Sequence, residues 1–217
     1  VLLAEHVGSR LHVCHVSTRG SVEIIRWAKS RGINVTAEVT PHHLLLTDDL
    51  VRSYDPIYKV NPPLRSTDDV QAVREALVDG TIDVVATDHP PHPMEDKECE
   101  WSAAAFGMLG LETALSVVQQ TMVDPGLLTW AQVAERMSLR PAEIGRVAGQ
   151  GRPLAVGEPA NLVLVDAGAT RVVDATDTAS LSRNTPYAGL TIPGRVVATF
   201  LRGRATMLDG ELQGVLV

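Results

Sequence analysis

The sequence holds only two cysteines, Cys14 and Cys99, among 217 residues. Two are too few for a disulfide framework, and the pairing of Cys14 with an apolar run and Cys99 with an acidic one points to a reducing, cytoplasmic compartment. No stretch approaches the 18 or so consecutive apolar residues that span a bilayer. Basic residues are also scarce, with 19 Lys and Arg against 26 Asp and Glu, for a formal charge of −7. They are not clustered, which argues against a nucleic acid or an anionic membrane as partner. Internal repeats and low-complexity tracts are missing as well. Residues Val1 to Val7 have neither an initiating Met nor the layout of a signal peptide. They read as the second half of an amphipathic helix, so the chain is expected to begin inside a domain, as a fragment of a longer protein. What is present is a globular composition, 45% hydrophobic, ample for a core.

Helices and strands alternate along the first two thirds. After the helix ended by Gly8, Leu11 to Val16 clusters apolar residues as a buried strand does. Ser21 to Ser30 carries Val22, Ile25 and Ala28 at helical spacing and stops at Gly32. Ile33 to Thr40 is the next strand, closed by Pro41, so the order is that of a parallel βαβ unit. Thr47, Asp48 and Asp49 start a short helix, and Ile57 to Val60 reads as extended. Ser66 or Thr67 caps a helix with Val70, Val73, Ala76 and Leu77 on one face and Gly80 at its end. Residues 109–122 carry Leu111, Leu115, Val118 and Met122 at helical spacing, with Gln119 and Gln120 expected to face outward. Two short helices follow over residues 129–137 and 141–148. Near Gly149 the composition changes to short β-branched runs punctuated by Gly and Pro, with Asp166 and Asp174 as turn residues. The expected fold is therefore α/β: residues 1–150 as part of a (β/α)8 barrel and 151–217 as a small β-rich appendage.

The segment Thr81 to Pro93 organises the rest. Val84 to Ala86 is an apolar run between Gly80 and a loop that three prolines keep irregular, hence a strand buried on both faces. Asp88 falls just past its carboxyl end, where barrels place their chemistry, and His89 and His92 follow. Asp88 reads equally well as the start of an Asx turn. His15 and Asn61 also lie at strand ends or adjoining loops, and imidazole with carboxylate suits Zn2+. On spacing alone, a lone His on an apolar strand is more often a satisfied core residue.

Five segments, His12 to Thr18, Val35 to Leu44, Lys59 to Arg65, Ala86 to His92 and Phe106 to Glu112, together resemble the dihydroorotases of the amidohydrolase superfamily. The resemblance runs from the first residue to about Pro193, in the family's order, and the 73 residues from His15 to Asp88 match the family's interval. It implies that the fold is the C-terminal portion of the barrel. It implies that His15 ligates the second of two zinc ions, and that Asp88 binds the first and acts as general acid and base. Asn61 and His92 would contact substrate, His92 at its carboxylate, and the backbone of Phe106 and Gly107 would meet the pyrimidine ring. His42, His43 and His89 belong to the motifs but are assigned to packing and hydrogen bonding. Pro90 departs from the Ala common in the family and removes a backbone donor. The family's His-x-His-x-Arg signature, bridging ligand and fifth-strand His have no counterpart in these residues.

The reaction implied is the reversible, zinc-dependent closure of N-carbamoyl-L-aspartate to L-dihydroorotate in pyrimidine biosynthesis. The partner expected is that small-molecule substrate, with a homodimer or aspartate transcarbamoylase at the level of assembly. Alternatives are another cyclic amidohydrolase, a hydantoinase or allantoinase, or a non-catalytic scaffold for aspartate transcarbamoylase. The 217 residues alone are expected to be inactive, because half a barrel leaves strand edges unpaired.

Overall fold

The computed structural model describes residues 1–214; the last three residues of the expected β-rich segment lie outside the described residues. Helix α1 (Leu2–Val7) ends at Gly8 in the left-handed conformation, and three parallel strands follow in sequence order: β1 (Leu11–Val13), β2 (Val35–Val39) and β3 (Val84–Val85). Two helices connect them, α2 (Arg19–Ser30) and α4 (Thr67–Asp79), with a short α3 (Pro41–Leu45) after β2. This is the strand, helix, strand order of a (β/α)8 barrel.

Local chemistry sets both long helices. The Thr18 side chain accepts a hydrogen bond from the Ser21 amide and the Ser66 side chain one from the Asp69 amide, so each helix starts on a capped turn. Asp68 and Asp69 sit at the positive end of the α4 dipole, and Gly80 closes that helix at φ 82°. Val22 and Ile25 of α2 and Val73, Ala76 and Leu77 of α4 pack against Ala37, Val39 and Val85 of the sheet. Each fully buried Ile or Leu there contributes about 1.5–3 kcal/mol. Truncating Leu77 to Ala removes that and leaves a cavity, at a cost of about 2–5 kcal/mol. Because side chains alternate along a strand, the residues between those core positions, Thr36 and Glu38 of β2 and His12 of β1, fall on the opposite face of the sheet, with His12 paired to Thr36 in register.

The chain then runs through α5 (Ala114–Val118), α6 (Trp130–Ala134) and α7 (Arg140–Gly145) to a four-stranded antiparallel sheet. Its strands, in order, are β4 (Leu162–Val172), β5 (Thr191–Leu201), β6 (Arg204–Leu208) and β7 (Glu211–Leu212). A second core cluster joins this sheet to the barrel part: Val173, Tyr187 and Ile192 pack with Leu46, Val60, Leu64, Met108 and Val117. Asp174 acts as a turn residue, accepting from the Thr176 amide, whereas Asp166, expected in a turn, lies inside β4 at a break in its register with β5 and accepts from the Gly168 amide.

Several expectations need correction. The strands are shorter than the apolar runs, since β1 stops at Val13 and leaves Cys14 exposed. Ile57 is not extended: Pro56–Tyr58 is a 3-10 turn capped by the Asp55 side chain. The helix expected from residue 109 starts at Ala114, and Leu111 is exposed. After α5 the helix widens into a π-turn over Gln119–Val123. The extra residue per turn rotates the face, so Gln119 points inward and its Nε2 donates to the Ala167 carbonyl at 2.9 Å. A second π-turn, Glu135–Leu139, joins α6 to α7 in place of a break between two helices.

Candidate active site at the strand ends

β1 and β3 each deliver a polar side chain just past their carboxyl ends. His15 follows β1 by two residues and Asp88 follows β3 by three, and both take up left-handed backbone conformations, φ 54° and φ 45°. A non-glycine residue there costs about 1–3 kcal/mol and persists only where the surroundings demand it. The two turns bring His15 Nε2 to 3.7 Å from Asp88 Oδ1. That is too long for a hydrogen bond. Two ligands of one transition metal, or of two ions about 3.5–4 Å apart, sit at such spacings.

The other ring nitrogen of His15 faces Glu38, with Nδ1 3.0 Å from Oε1. The approach is off the line of a full hydrogen bond, and this buried Nδ1 has no other partner. Glu38 is 9% exposed, and its second oxygen, Oε2, accepts from His12 Nε2 at 2.9 Å. His12 Nδ1 lies 2.7 Å from Thr36 Oγ1. A line of side chains thus runs from Thr36 through His12 and Glu38 to His15 and Asp88, along the inner face of the sheet. With its Nδ1 side turned to a carboxylate, His15 leaves an Nε2 lone pair facing another carboxylate, an arrangement of donors that calls for a cation between them. The residues present fit zinc on that observation.

Among the described residues His12, Cys14 and Glu38 also bring one ligand atom each within 4.8 Å of one another. Both nitrogens of His12 and one oxygen of Glu38 are already hydrogen-bonded, however. Desolvation, then the charge of Glu38 with its hydrogen bond, then Asp88, push the Cys14 thiol up, away from the thiolate a metal would want.

The remaining candidates form a second group. His92 Nε2 donates to the Phe106 carbonyl at 2.9 Å, and the His92 amide donates to Asn184 Oδ1 at 3.2 Å. Asn184, fully buried, donates through Nδ2 to the Pro90 carbonyl at 3.0 Å and the Gly107 carbonyl at 3.4 Å. Gly107 has φ 129°, and a Cβ there would stand 2.2 Å from Cγ of Pro90, so only glycine fits against that proline. Its amide donates to the Lys59 carbonyl at 2.9 Å, two residues before Asn61, which is exposed. Phe106, Gly107 and His92 are thereby tied together. His89 is turned away from both groups, accepting the amides of Gly110 and Leu111 on Nδ1.

His42 and His43 are buried at the start of α3. His43 Nδ1 meets Thr40 Oγ1 at 2.7 Å and its Nε2 meets the Pro62 carbonyl at 3.1 Å. Burial lowers the His43 pKa to about 4 against the pull of those carbonyls, and lowers His42 well below its ordinary value, with His43 and His15 adding to the effect. Both are neutral at physiological pH.

Two lysines near the second group escaped the sequence reading. Lys59 Nζ donates to the carbonyls of Trp101 and Ala104, both at 2.6 Å, and lies 4.6 Å from the centre of the Phe106 ring. Lys97 Nζ donates to those of Ala105 and Gly107 at 2.8 and 2.9 Å. Both are buried, and carbonyl oxygens take the place of a counter-ion around them. Asn184, far away in sequence, carried no signal. Glu38 and His12 did: polar residues alternating along neighbouring apolar strands mark one shared face.

Comparison with known proteins gives the family. Residues 3–206 match the amidohydrolase family. A dihydroorotase of Streptomyces coelicolor is 72% identical over 98% of the chain and 50% of its own length. One from Mycobacterium tuberculosis is 57% identical over 98% of the chain and 49% of its own. An L-hydantoinase (dihydropyrimidinase) from Arthrobacter aurescens superposes with a TM-score of 0.91 at 36% identity, covering 98% of this chain and 48% of that one. The chain spans about half the length of the relatives it matches. With three parallel strand and helix units, polar side chains gathered at the strand ends and a family match over nearly all its residues, the chain belongs to the amidohydrolase family.

Proposed function

We propose that the chain supplies half of the active site of a zinc-dependent dihydroorotase, which interconverts N-carbamoyl-L-aspartate and L-dihydroorotate in pyrimidine biosynthesis. One observation carries the reading: His15 and Asp88, 73 residues apart, stand 3.7 Å from each other across the ends of two strands. The identity to dihydroorotases supports the choice of substrate. Residues 1–150 would form the barrel half and 151–217 the appendage, with the remaining ligands coming from outside these residues.

His15 and Asp88 would hold the zinc, two ions in a complete site. When bound, zinc lowers the pKa of water towards about 7 and polarises the carbonyl under attack. Asp88 takes the proton of the attacking water and hands it to the departing ring nitrogen, and the reverse reaction runs the same transfer backwards. Asn61 and His92 bind the substrate. His92 Nε2 donates to the Phe106 carbonyl, so Nδ1, 3.8 Å from Asp96 Oδ2, meets a substrate carboxylate only when it too carries a hydrogen. The Phe106 and Gly107 backbone, pinned by Lys59, Lys97 and Asn184, meets the ring. The compartment is cytoplasmic, in keeping with two free cysteines, and no helix among the described residues is long and apolar enough to cross a membrane. Assembly would be as a homodimer or with aspartate transcarbamoylase.

The superposition on an L-hydantoinase (dihydropyrimidinase) favours a second reading, hydrolysis of a hydantoin. The full-length protein assayed with L-dihydroorotate, hydantoin and allantoin separates them. Dihydroorotate is expected to turn over at least 100-fold faster than the others, and faster turnover of hydantoin would replace the first reading with the second. A scaffold without catalysis would turn over none of the three.

A further inference from the structure

We propose that Glu38 is a positioning residue for the metal centre, fixing the tautomer and ring orientation of His15. The inference rests on the reading of His15 as a ligand. Glu38 sits on the inner face of β2, 9% exposed, where a carboxylate is costly unless its oxygens are occupied. Each oxygen faces a different imidazole: Oε2 is hydrogen-bonded to His12 Nε2 at 2.9 Å, and Oε1 lies 3.0 Å from the otherwise unpartnered His15 Nδ1.

The proton inventory decides the direction. A carboxylate oxygen accepts, so Glu38 favours a hydrogen on each nitrogen that faces it, and His15 Nδ1 is placed for this although its approach is off the line of a full hydrogen bond. His12 then donates from Nε2 and receives the Thr36 hydroxyl on Nδ1, at 2.7 Å, so both its nitrogens have partners. His15, with hydrogen on Nδ1, has its only lone pair on Nε2, and that atom faces Asp88 at 3.7 Å. Without Glu38 the ring could hold its hydrogen on Nε2 and donate it to Asp88, closing the site to a cation. Thr36 and His12 in turn keep the carboxylate from rotating away. A carboxylate behind a ligating histidine raises the ligand's basicity, and losing such a partner typically costs 10- to 100-fold in metal affinity.

The test uses the full-length protein and two readouts that do not depend on turnover. Zinc affinity is measured by chelator competition, and the His15 tautomer by imidazole nitrogen chemical shifts in the metal-free protein. Glu38→Gln is expected to weaken zinc binding 10- to 100-fold and to shift His15 from the Nδ1–H towards the Nε2–H form, with circular dichroism unchanged. A role confined to satisfying His12 would leave the His15 signals where they are. Glu38→Asp, which keeps the charge but draws the carboxylate back, covers the case in which the Gln variant fails to fold, and is expected to weaken binding to a lesser degree. Wild-type affinity and an unchanged His15 tautomer in whichever variant folds would overturn the proposal. His15→Ala in the same assay separates the two levels: zinc binding undiminished in that variant would sink the ligand assignment itself, whereas a loss there beside an intact Glu38→Gln variant would sink only the role of Glu38.

Discussion

His15 Nε2 and Asp88 Oδ1 face each other at 3.7 Å from two strand ends whose residues both adopt a left-handed backbone. Asp and His take up that conformation more often than most non-glycine residues, yet it remains uncommon for either. The strain at two residues meeting at one point is what a site held in place by its surroundings looks like.

Replacing Asp88 by Asn keeps the volume and removes both a zinc ligand and the group that accepts and returns a proton. In the full-length, zinc-loaded protein kcat is expected to fall by about 10²- to 10⁴-fold. Thermal unfolding of the metal-free protein should match that of the wild type. Steady-state kinetics beside a melting curve check both, and near-wild-type turnover would remove Asp88 from the mechanism.

Gly107→Ala places a methyl 2.2 Å from Pro90 Cγ and 2.8 Å from Pro90 Cβ, at a φ of 129° that side chains avoid. Overpacking and strain of this kind cost about 1–3 kcal/mol. The loop carrying Phe106 should shift, raising KM more than it lowers kcat. Pro90→Ala in the same chain relieves the Cγ contact alone, so a double-mutant cycle should show partial recovery.

Lys97 is 3% exposed, and burial first, then the neighbouring charge of Lys59, lower its pKa to about 8. An unfolded lysine titrates near 10.4. Between those values the unfolded chain binds more protons than the folded one, so this group makes stability rise with pH from about 8 to 10.4, and its burial as a cation is a cost below that window. Lys97→Met is expected to flatten that slope in urea unfolding. It should also destabilise the protein at pH 7, because the buried carbonyls of Ala105 and Gly107 lose their donor at about 1–3 kcal/mol each.

His43 gives the opposite end of the pH scale. Its pKa is lowered to about 4 in the fold against an ordinary value of 6.5, and His42 is also lowered well below that value by burial. The unfolded chain takes up protons first as the medium is acidified, so stability present above pH 6.5 is lost as pH falls through that range towards 4. His43→Gln should reduce the loss measured between pH 7 and pH 5.

The helices α2 and α4 were legible because cap, apolar spacing and terminal glycine all agreed, as with Ser66, Val70, Val73 and Gly80. Asp88 was legible from its place after an apolar run, and His15 from the family pattern rather than from its own neighbourhood. Gln119 was misread because a π-turn breaks the 3.6-residue period without any local signal, and tertiary contact with Ala167 selects it. Ile57 was misread because Asp55 and Pro56 make a capped turn that an apolar run conceals. Glu38 and His12 were marked in the sequence only as polar positions alternating along apolar strands, and it is the register of β1 against β2 that sets them side by side with His15.

The central claim is that His15 and Asp88 share a zinc centre that acts on dihydroorotate. Its most direct test is the rate of L-dihydroorotate hydrolysis as zinc is titrated into full-length protein stripped by a chelator. The account predicts no measurable rate in the stripped protein and recovery that saturates at a stoichiometric amount of zinc. A full rate in the stripped protein, before any zinc is added, would contradict it.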